Sequence, residues 1–263
     1  FLNHPCLLTI MVSFIEAIIL GVIQGVTEWL PISSSGHLVL AQELLGITQP
    51  LIFDIILHLG SLIALIVVFR KELVELVKGI IQRKREDLQY LGWIIFATIP
   101  IAVVGLLFNK QITMAFTNLT VIGIAFLFTA FVLLISRWPK KKQQKLTWRS
   151  TIVMGIMQAF ALVPGVSRSG ITISTGLLQG REREATARFA FFLFIPAIVG
   201  AIILEFSSLG AVTDLSALAL ATFVTIIVGI LSLRLLLYII KKQKFSYFGW
   251  YCLFLGIVVL ILA

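Results

Sequence analysis

Six apolar segments, each near the length of a bilayer crossing, take up so much of this chain that little is left to build a water-soluble core. They run Leu51–Phe69, Tyr90–Phe108, Leu119–Ile135, Phe189–Leu204, Leu215–Ile240 and Phe245–Ala263. A helix needs roughly 20 apolar residues to cross a hydrocarbon layer of about 30 Å. The fourth segment is short by this measure and must borrow its polar flanks. Composition points the same way: 59% of the 263 residues are hydrophobic and only 13% are charged, against about a quarter charged in soluble domains. The sequence therefore predicts an all-α polytopic membrane protein with a single membrane domain over residues 11–263. Residues 1–10, upstream of Met11, read as an extension without a role. Cys6 and Cys252 offer neither a disulfide framework nor a metal spacing.

A net charge of +9 raises the question of nucleic acid, but the basic residues gather in short loops between apolar segments, at Arg70–Arg85, Arg137–Arg149, Arg181–Arg188 and Lys241–Lys244. The loops Asn109–Asn118 and Phe206–Asp214 carry Lys110 alone or no basic residue. That alternation is the positive-inside pattern, and it orients all six spans without conflict.

Two stretches do not read as spans. Phe14–Leu30 ends in PISSSGH, and the arm that follows, Gly36–Gly46, has 11 residues, roughly 16 Å of helix. Thr151–Gly180 breaks at PGVSRSG into arms of 13 and 11 residues, about 20 and 16 Å. Both read as re-entrant hairpins, whose irregular backbone survives at membrane depth only when buried in protein or lining a wet cavity. They align without a gap at a constant spacing of 134 positions: Gly21 with Gly155, Gln24 with Gln158, Ser33 with Ser167, Ser35 with Ser169, Gly36 with Gly170, Leu44 with Leu178 and Gly46 with Gly180. Each half, about 11–137 and about 149–263, is then one hairpin plus three spans. Three is odd, so the halves run in opposite directions: two inverted-topology repeats with paired broken helices near the midplane.

The chemistry-bearing residues sit at the breaks. Gln24 and Glu28 are four apart and share a helix face. A carboxylate deep in an apolar segment points to function. The alternative, a glutamate reaching solvent or pairing with a lysine, lacks a nearby Lys or Arg. Ser33, Ser34 and Ser35 lie between Pro31 and Gly36, and His37 follows on the first turn of the second arm. A helix N-terminus offers free N–H groups and the positive end of the dipole to an anion. Capping alone needs one serine, not three. In the second break Arg168 offers a guanidinium fork that matches phosphate, with hydroxyls from Ser167, Ser169 and Thr172 beside it. The other reading of Arg168 is a side chain that snorkels or pairs with Glu28, and a pair with Glu28 too brings the breaks together. The combined pocket suits a phosphate group on a lipid tail. Pyrophosphate brings more negative charge than Arg168 can balance, so a divalent cation, Mg²⁺ or Ca²⁺, is expected on Glu28 with help from Gln24. Direct acid–base work by Glu28 stays open.

QGVTEWLPISSSGHL and PGVSRSGIT resemble the two signature motifs of the undecaprenyl-pyrophosphate phosphatase family of the bacitracin-resistance type. The resemblance extends over essentially Met11–Ala263, including REREATARFAFFLFIP. It implies removal of the terminal phosphate from a C55 prenyl pyrophosphate, recycling the lipid carrier of cell-wall synthesis and conferring bacitracin resistance. It further implies catalytic roles for Glu28, His37 and Arg168, Ser34 as nucleophile, a divalent metal, and a site in the bacterial inner membrane opening to the outer face. Many members have Glu where this chain has Gln24, a weaker metal ligand. Attack by Ser34, with His37 or Glu28 as base, and attack by an activated water are both compatible with the residues.

Other polar membrane residues carry less. His58 and Asp54 share a face and are expected to pair with each other. Arg188 and Glu184 suggest a surface salt bridge, and Arg234 a snorkelling side chain. The rival reading is a transporter, whose usual plan is the inverted repeat. An enzyme that also returns its lipid product across the membrane would combine the two. Expected partners are a prenyl pyrophosphate and membrane lipids, not nucleic acid; homodimerisation stays open.

Overall fold

A computed structural model describes residues 13–47, 51–137, 144–205 and 214–263. The N-terminal extension and the centres of two interspan loops, 138–143 and 206–213, lie outside the described residues. What is described is helical; among these residues the one isolated β-bridge joins Gln144 and Arg181. The helices are α1 (Phe14–Thr27), α2 (Ser34–Leu45), α3 (Leu51–Val68), α4 (Arg70–Ile81), α5 (Arg85–Leu107), α6 (Asn109–Ala115), α7 (Leu119–Ile135), α8 (Trp148–Ala159), α9 (Arg168–Leu178), α10 (Arg183–Glu205), α11 (Leu215–Lys241) and α12 (Phe248–Leu262).

Four segments are long and apolar enough to cross a membrane unaided: Arg85–Leu107, Arg183–Leu204, Leu215–Lys241 and Phe245–Leu262. The other two expected spans are α3 and α7, of 18 and 17 residues. They are joined to α4 and α6 at bends of 79° and 95°. The chain is thus a multi-pass membrane protein, with four to six candidate spans among the described residues. Two loop assignments need correction. Arg183–Arg188 is not loop but the first turns of α10, so the fourth span is 23 residues and not short. The Arg70–Arg85 loop is mostly α4, a helix whose apolar Val74 and Val77 stay exposed beside its charged residues. A polar composition conceals a helix when the charges sit at its end or along one face. The expected Arg188–Glu184 pair is replaced by Glu184 with Lys241, 3.5 Å apart, across the ends of α10 and α11. Arg234 is exposed on α11. Asp214 accepts from the Ser216 and Ala217 amides at the start of α11, which holds its carboxyl below the usual carboxylate range.

Both predicted breaks are present. After α1 the chain turns through Glu28–Ser33 before α2; after α8 a short 3₁₀ turn, Phe160–Leu162, leads to the loop before α9. Helix α2 begins two residues earlier than Gly36, because the Ser33 hydroxyl caps the Gly36 amide at 3.4 Å. The equivalent Ser167 caps Gly170 at 3.1 Å. Helix α1 lies against α11 and α3, α8 lies against α5, and α7 against α12. These contacts are close because glycine occupies them. A Cβ at Gly25 would fall 2.8 Å from the Val228 Cβ, and one at Gly155 would collide with the Ala97 backbone. Small residues at helix contacts are how membrane helices approach without a hydrophobic driving force between them. Gly155→Leu is therefore expected to destabilise the fold by about 1–3 kcal/mol through overpacking, read as a lower unfolding midpoint in detergent. Gly92→Ala, in open space on α5, leaves the midpoint unchanged or raised.

The largest buried cluster gathers Trp29, in the first break, with Phe69, Phe191 and Phe192. Trp29 meets Phe191 and Phe194 edge-on, each at 5.6 Å between centroids. This aromatic packing clamps the first break against α10.

Candidate active site

The two breaks meet. A Cβ on Gly36 would lie 3.0 Å from the Gly165 Cα and 2.6 Å from the Phe126 ring, and one on Gly170 would lie 3.4 Å from the Pro31 Cβ. Gly165, at φ +98°, is free of the Cβ that would block this approach. Thr129 on α7 holds the second break in place: its hydroxyl donates to the Gly165 carbonyl at 2.9 Å and accepts from the Ser167 amide at 3.0 Å. Ser33 is at φ 68° and ψ 101°, a backbone state that costs of order 1–3 kcal/mol in a non-glycine residue. His37 supports it by donating from Nδ1 to the Ser33 carbonyl at 2.7 Å.

Glu28 is the centre of the polar cluster, 5% exposed. Its Oε1 is paired with the Arg168 guanidinium. Its Oε2 accepts the Ser34 hydroxyl at 2.6 Å and the Gln24 amide at 3.1 Å, and faces His58 Nε2 at 3.2 Å. Ser34 and Arg168 are the first residues of α2 and α9, so each side chain lies beside a helix N-terminus. They are themselves 134 positions apart. Arg168 also lies over the Phe194 ring, its Cζ 3.7 Å from the centroid, a cation–π contact that fixes the guanidinium plane.

A cavity of about 220 Å³ opens beside this cluster. Glu28, Ser33, Ser34, Ser35, Ser167 and Arg168 line it, together with Asp54, His58 and Asn109. Apolar Ile112, Phe116, Leu162, Ile198 and Leu204 line it too. One pocket thus offers both charged groups and apolar side chains, the chemistry an anionic head on a hydrocarbon tail would meet.

Not every residue expected at the site reaches the cavity. Ser169 points its hydroxyl at the Leu30 carbonyl, 3.5 Å away, and Thr172 donates to the Arg168 carbonyl within its own helix at 2.7 Å. His37 is turned away from Glu28: its ring stacks on Tyr251, and Nε2 meets the Tyr251 hydroxyl at 2.7 Å. His58 occupies the place beside the carboxylate instead. Its expected partner, the Asp54 carboxylate, takes the Gln42 amide at 2.8 Å, while His58 Nδ1 donates to the Asp54 backbone carbonyl at 2.8 Å. Sequence reasoning gave His58 little weight and overlooked Ser61, Thr129 and Phe194. The signal for the first two was there: Asp54, His58 and Ser61 recur at four and three residues, a polar stripe along one face of an apolar helix.

For a divalent cation, the donors at hand are oxygens: the Glu28 carboxylate, the Ser34 hydroxyl and Gln24. The Gln24 Oε1 is buried beside Glu28 without a hydrogen-bond partner, a carbonyl oxygen suited to a hard ion such as Mg²⁺ or Ca²⁺. The set fits such an ion, although no group of three His, Cys, Asp or Glu occurs among the described residues.

The family model described as "Bacitracin resistance protein BacA" matches residues 17–258. The chain belongs to the BacA family. Relatives named undecaprenyl-diphosphatase match most of the length of this BacA-family chain. The one from Methanobrevibacter smithii is 39% identical, covering 94% of this chain and 96% of its own. That from Christiangramia forsetii is 37% identical over 94% and 97%, and that from Carboxydothermus hydrogenoformans 38% identical over 94% and 96%.

Proposed function

We propose that this BacA-family chain is an integral membrane phosphatase that hydrolyses undecaprenyl pyrophosphate to undecaprenyl phosphate and inorganic phosphate. The observation that carries the reading is the arrangement around Glu28: a serine hydroxyl and an arginine on the two oxygens of one buried carboxylate, at the meeting of two helix N-termini, beside a cavity that apolar side chains also line. The names of its relatives agree with it.

The pyrophosphate sits across the breaks with its tail toward Ile112 and Ile198. Arg168 and the free amides of α2 and α9 hold the terminal phosphoryl oxygens, the charge stabilisation on which phosphoryl transfer mainly depends. The Ser34 Oγ attacks the terminal phosphorus and its proton passes to Glu28 Oε2. The bond from phosphorus to the bridging oxygen breaks, and the lipid monophosphate leaves with the proton that Glu28 took from Ser34. Water then attacks the phosphoserine phosphorus and gives its proton to the freed Glu28 carboxylate, which passes it to the Ser34 Oγ as the bond from phosphorus to that oxygen breaks and phosphate is released. Gln24 and Glu28 would hold a Mg²⁺ or Ca²⁺, which when bound neutralises charge on the pyrophosphate. His37 acts on the break itself, holding the strained Ser33 backbone from which Ser34 projects.

Ser34→Ala tests the covalent step: turnover is expected to fall by roughly 10³-fold, with no phosphoserine by mass spectrometry in rapidly quenched samples. Near-normal turnover would instead make an activated water the nucleophile. Removal of divalent cations by EDTA is expected to stop phosphate release from a C15 or C55 prenyl pyrophosphate, and Mg²⁺ or Ca²⁺ to restore it. Release unaffected by EDTA would remove the metal from the reading.

The inverted repeat belongs to the same proposal. At a spacing of 134 positions α3 falls on α10, α5 on α11 and α7 on α12. Exchanging the halves turns the α1–α11 contact into α8–α5, and leaves α3–α10 and α7–α12 as self-pairs. Loop charges put the first hairpin's mouth outside and the second's inside, so the cavity would serve the outer face of the inner membrane. A phosphatase there recycles the cell-wall carrier and opposes bacitracin. The same symmetry favours a second task, return of the lipid product between leaflets.

A further inference from the structure

We infer that His58 is a positioning residue: through one ring nitrogen it is anchored on α3, and through the other it holds Glu28 so that the carboxylate stays on the Ser34 hydroxyl when Arg168 turns to the substrate. The inference rests on the phosphatase reading above.

The anchor comes first. His58 Nδ1 lies 2.8 Å from the Asp54 carbonyl oxygen. A carbonyl oxygen only accepts, so Nδ1 carries a hydrogen and the ring's orientation is set by the backbone one turn away. Nε2 faces Glu28 Oε2 at 3.2 Å, and a carboxylate oxygen likewise only accepts, so Nε2 holds it by carrying a second hydrogen, the ring acting as an imidazolium. Helix α3 grips the carboxylate a second time, because Gln24, which donates to Oε2 at 3.1 Å, also donates to Ser61 at 3.2 Å. Asp54, His58 and Ser61 lie on one face of α3, so the whole stripe is turned toward Glu28.

The need for such a grip follows from Arg168. As the structure stands, Arg168 holds Oε1, but its guanidinium is also the group in the cavity best shaped for a phosphate. A substrate that draws Arg168 away removes the strongest restraint on a glutamate with three rotatable bonds. His58 and Gln24 stay, because their anchors are on α3 and not on the substrate. His58 has no hydrogen bond to Ser34, whose hydroxyl goes to Glu28 at 2.6 Å. It therefore works through Glu28.

The experiment compares wild type with His58→Leu, His58→Gln and His58→Asn in detergent. It measures kcat and KM for phosphate release from farnesyl pyrophosphate, and the unfolding midpoint. Glutamine can bring an amide N–H to the carboxylate; asparagine is one methylene short. The leucine variant is expected to lose roughly 10²-fold in kcat, the effect of a misplaced catalytic group, with KM within about threefold of wild type. Glutamine recovers most of the loss and asparagine little. Should leucine prevent folding, the glutamine–asparagine contrast carries the test. A wild-type kcat in His58→Leu, equal losses in glutamine and asparagine, or a loss in KM alone would overturn the inference while phosphate release by the wild type left the phosphatase reading intact. A wild type that releases no phosphate would overturn both.

Discussion

Arg168→Ala is expected to lower kcat/KM for a prenyl pyrophosphate by roughly 10³-fold or more, the scale seen when an arginine that stabilises a transferring phosphoryl group is removed. Two features make Arg168 hard to replace. It stands at the start of α9, so its positive charge adds to that of the helix terminus, and Phe194 stacks under it at 3.7 Å, holding the fork flat. Arg168→Lys keeps the charge but loses the planar fork and the stacking, and is expected to recover less than a tenth of the loss. Phe194→Leu keeps the arginine and frees its plane, so a smaller loss, mostly in kcat, is expected. Steady-state phosphate release across the three variants checks the order. A lysine variant near wild type would mean that Arg168 supplies charge alone and that the fork geometry is incidental.

The place of Arg168 also shows how far the sequence could be read. Pro31 with Ser33–Gly36, and Pro164 with Ser167–Gly170, mark helix breaks by local chemistry alone, and local chemistry survives folding. Both breaks and their capping serines were legible for that reason; the Glu28–Arg168 pairing, 140 positions apart, entered only as the other reading of Arg168. Less legible was which side chain would turn which way. His37 stands three residues after Ser34 and reads as part of the site, yet its ring is drawn to Tyr251, 214 positions away. His58 lies in the middle of an apolar helix and reads as packing, yet α3 brings it to Glu28. No spacing along the chain encodes those tertiary contacts. The span limits erred for a different reason: the charges of Arg183–Arg188 and of α4 look like loop in a hydropathy reading, but a helix end or one polar face accommodates them.

Equally informative is where the two halves differ. Ser34 and Arg168 stand 134 positions apart, and on the proposed mechanism they would divide the labour between attack and charge stabilisation. The positions matching Glu28 and His37 are Leu162 and Ile171, and Leu162 also lines the cavity. A device that only passed an anion between two equivalent gates would have no use for a carboxylate on one side and a leucine on the other. On the proposed reading the two helix termini come from the repeat, and the departure from it at Glu28 would supply the base. The asymmetry favours the enzyme over the pure transporter.

That asymmetry puts the heaviest demand on Glu28. Glu28→Gln is nearly isosteric, so it keeps the packing against Trp29 and a hydrogen-bond acceptor for Ser34, but it removes the negative charge and the base. Turnover is expected to fall by roughly 10³-fold or more, since base assistance alone contributes about 10²–10⁴-fold. Arg168, part-buried at the cavity, is then left without its carboxylate, which costs some part of the roughly 3–5 kcal/mol of breaking a fully buried pair. The variant should therefore unfold at a lower temperature than wild type, and the combination Glu28→Gln with Arg168→Leu should be more stable than Glu28→Gln alone. Activity should show no such recovery, because the double variant lacks both groups. Unfolding midpoints and phosphate release, measured together on the four proteins of this cycle, separate the two roles. If Glu28→Gln turned over near normally while losing stability, the carboxylate would be a structural partner of Arg168 and the proton from Ser34 would have to go elsewhere.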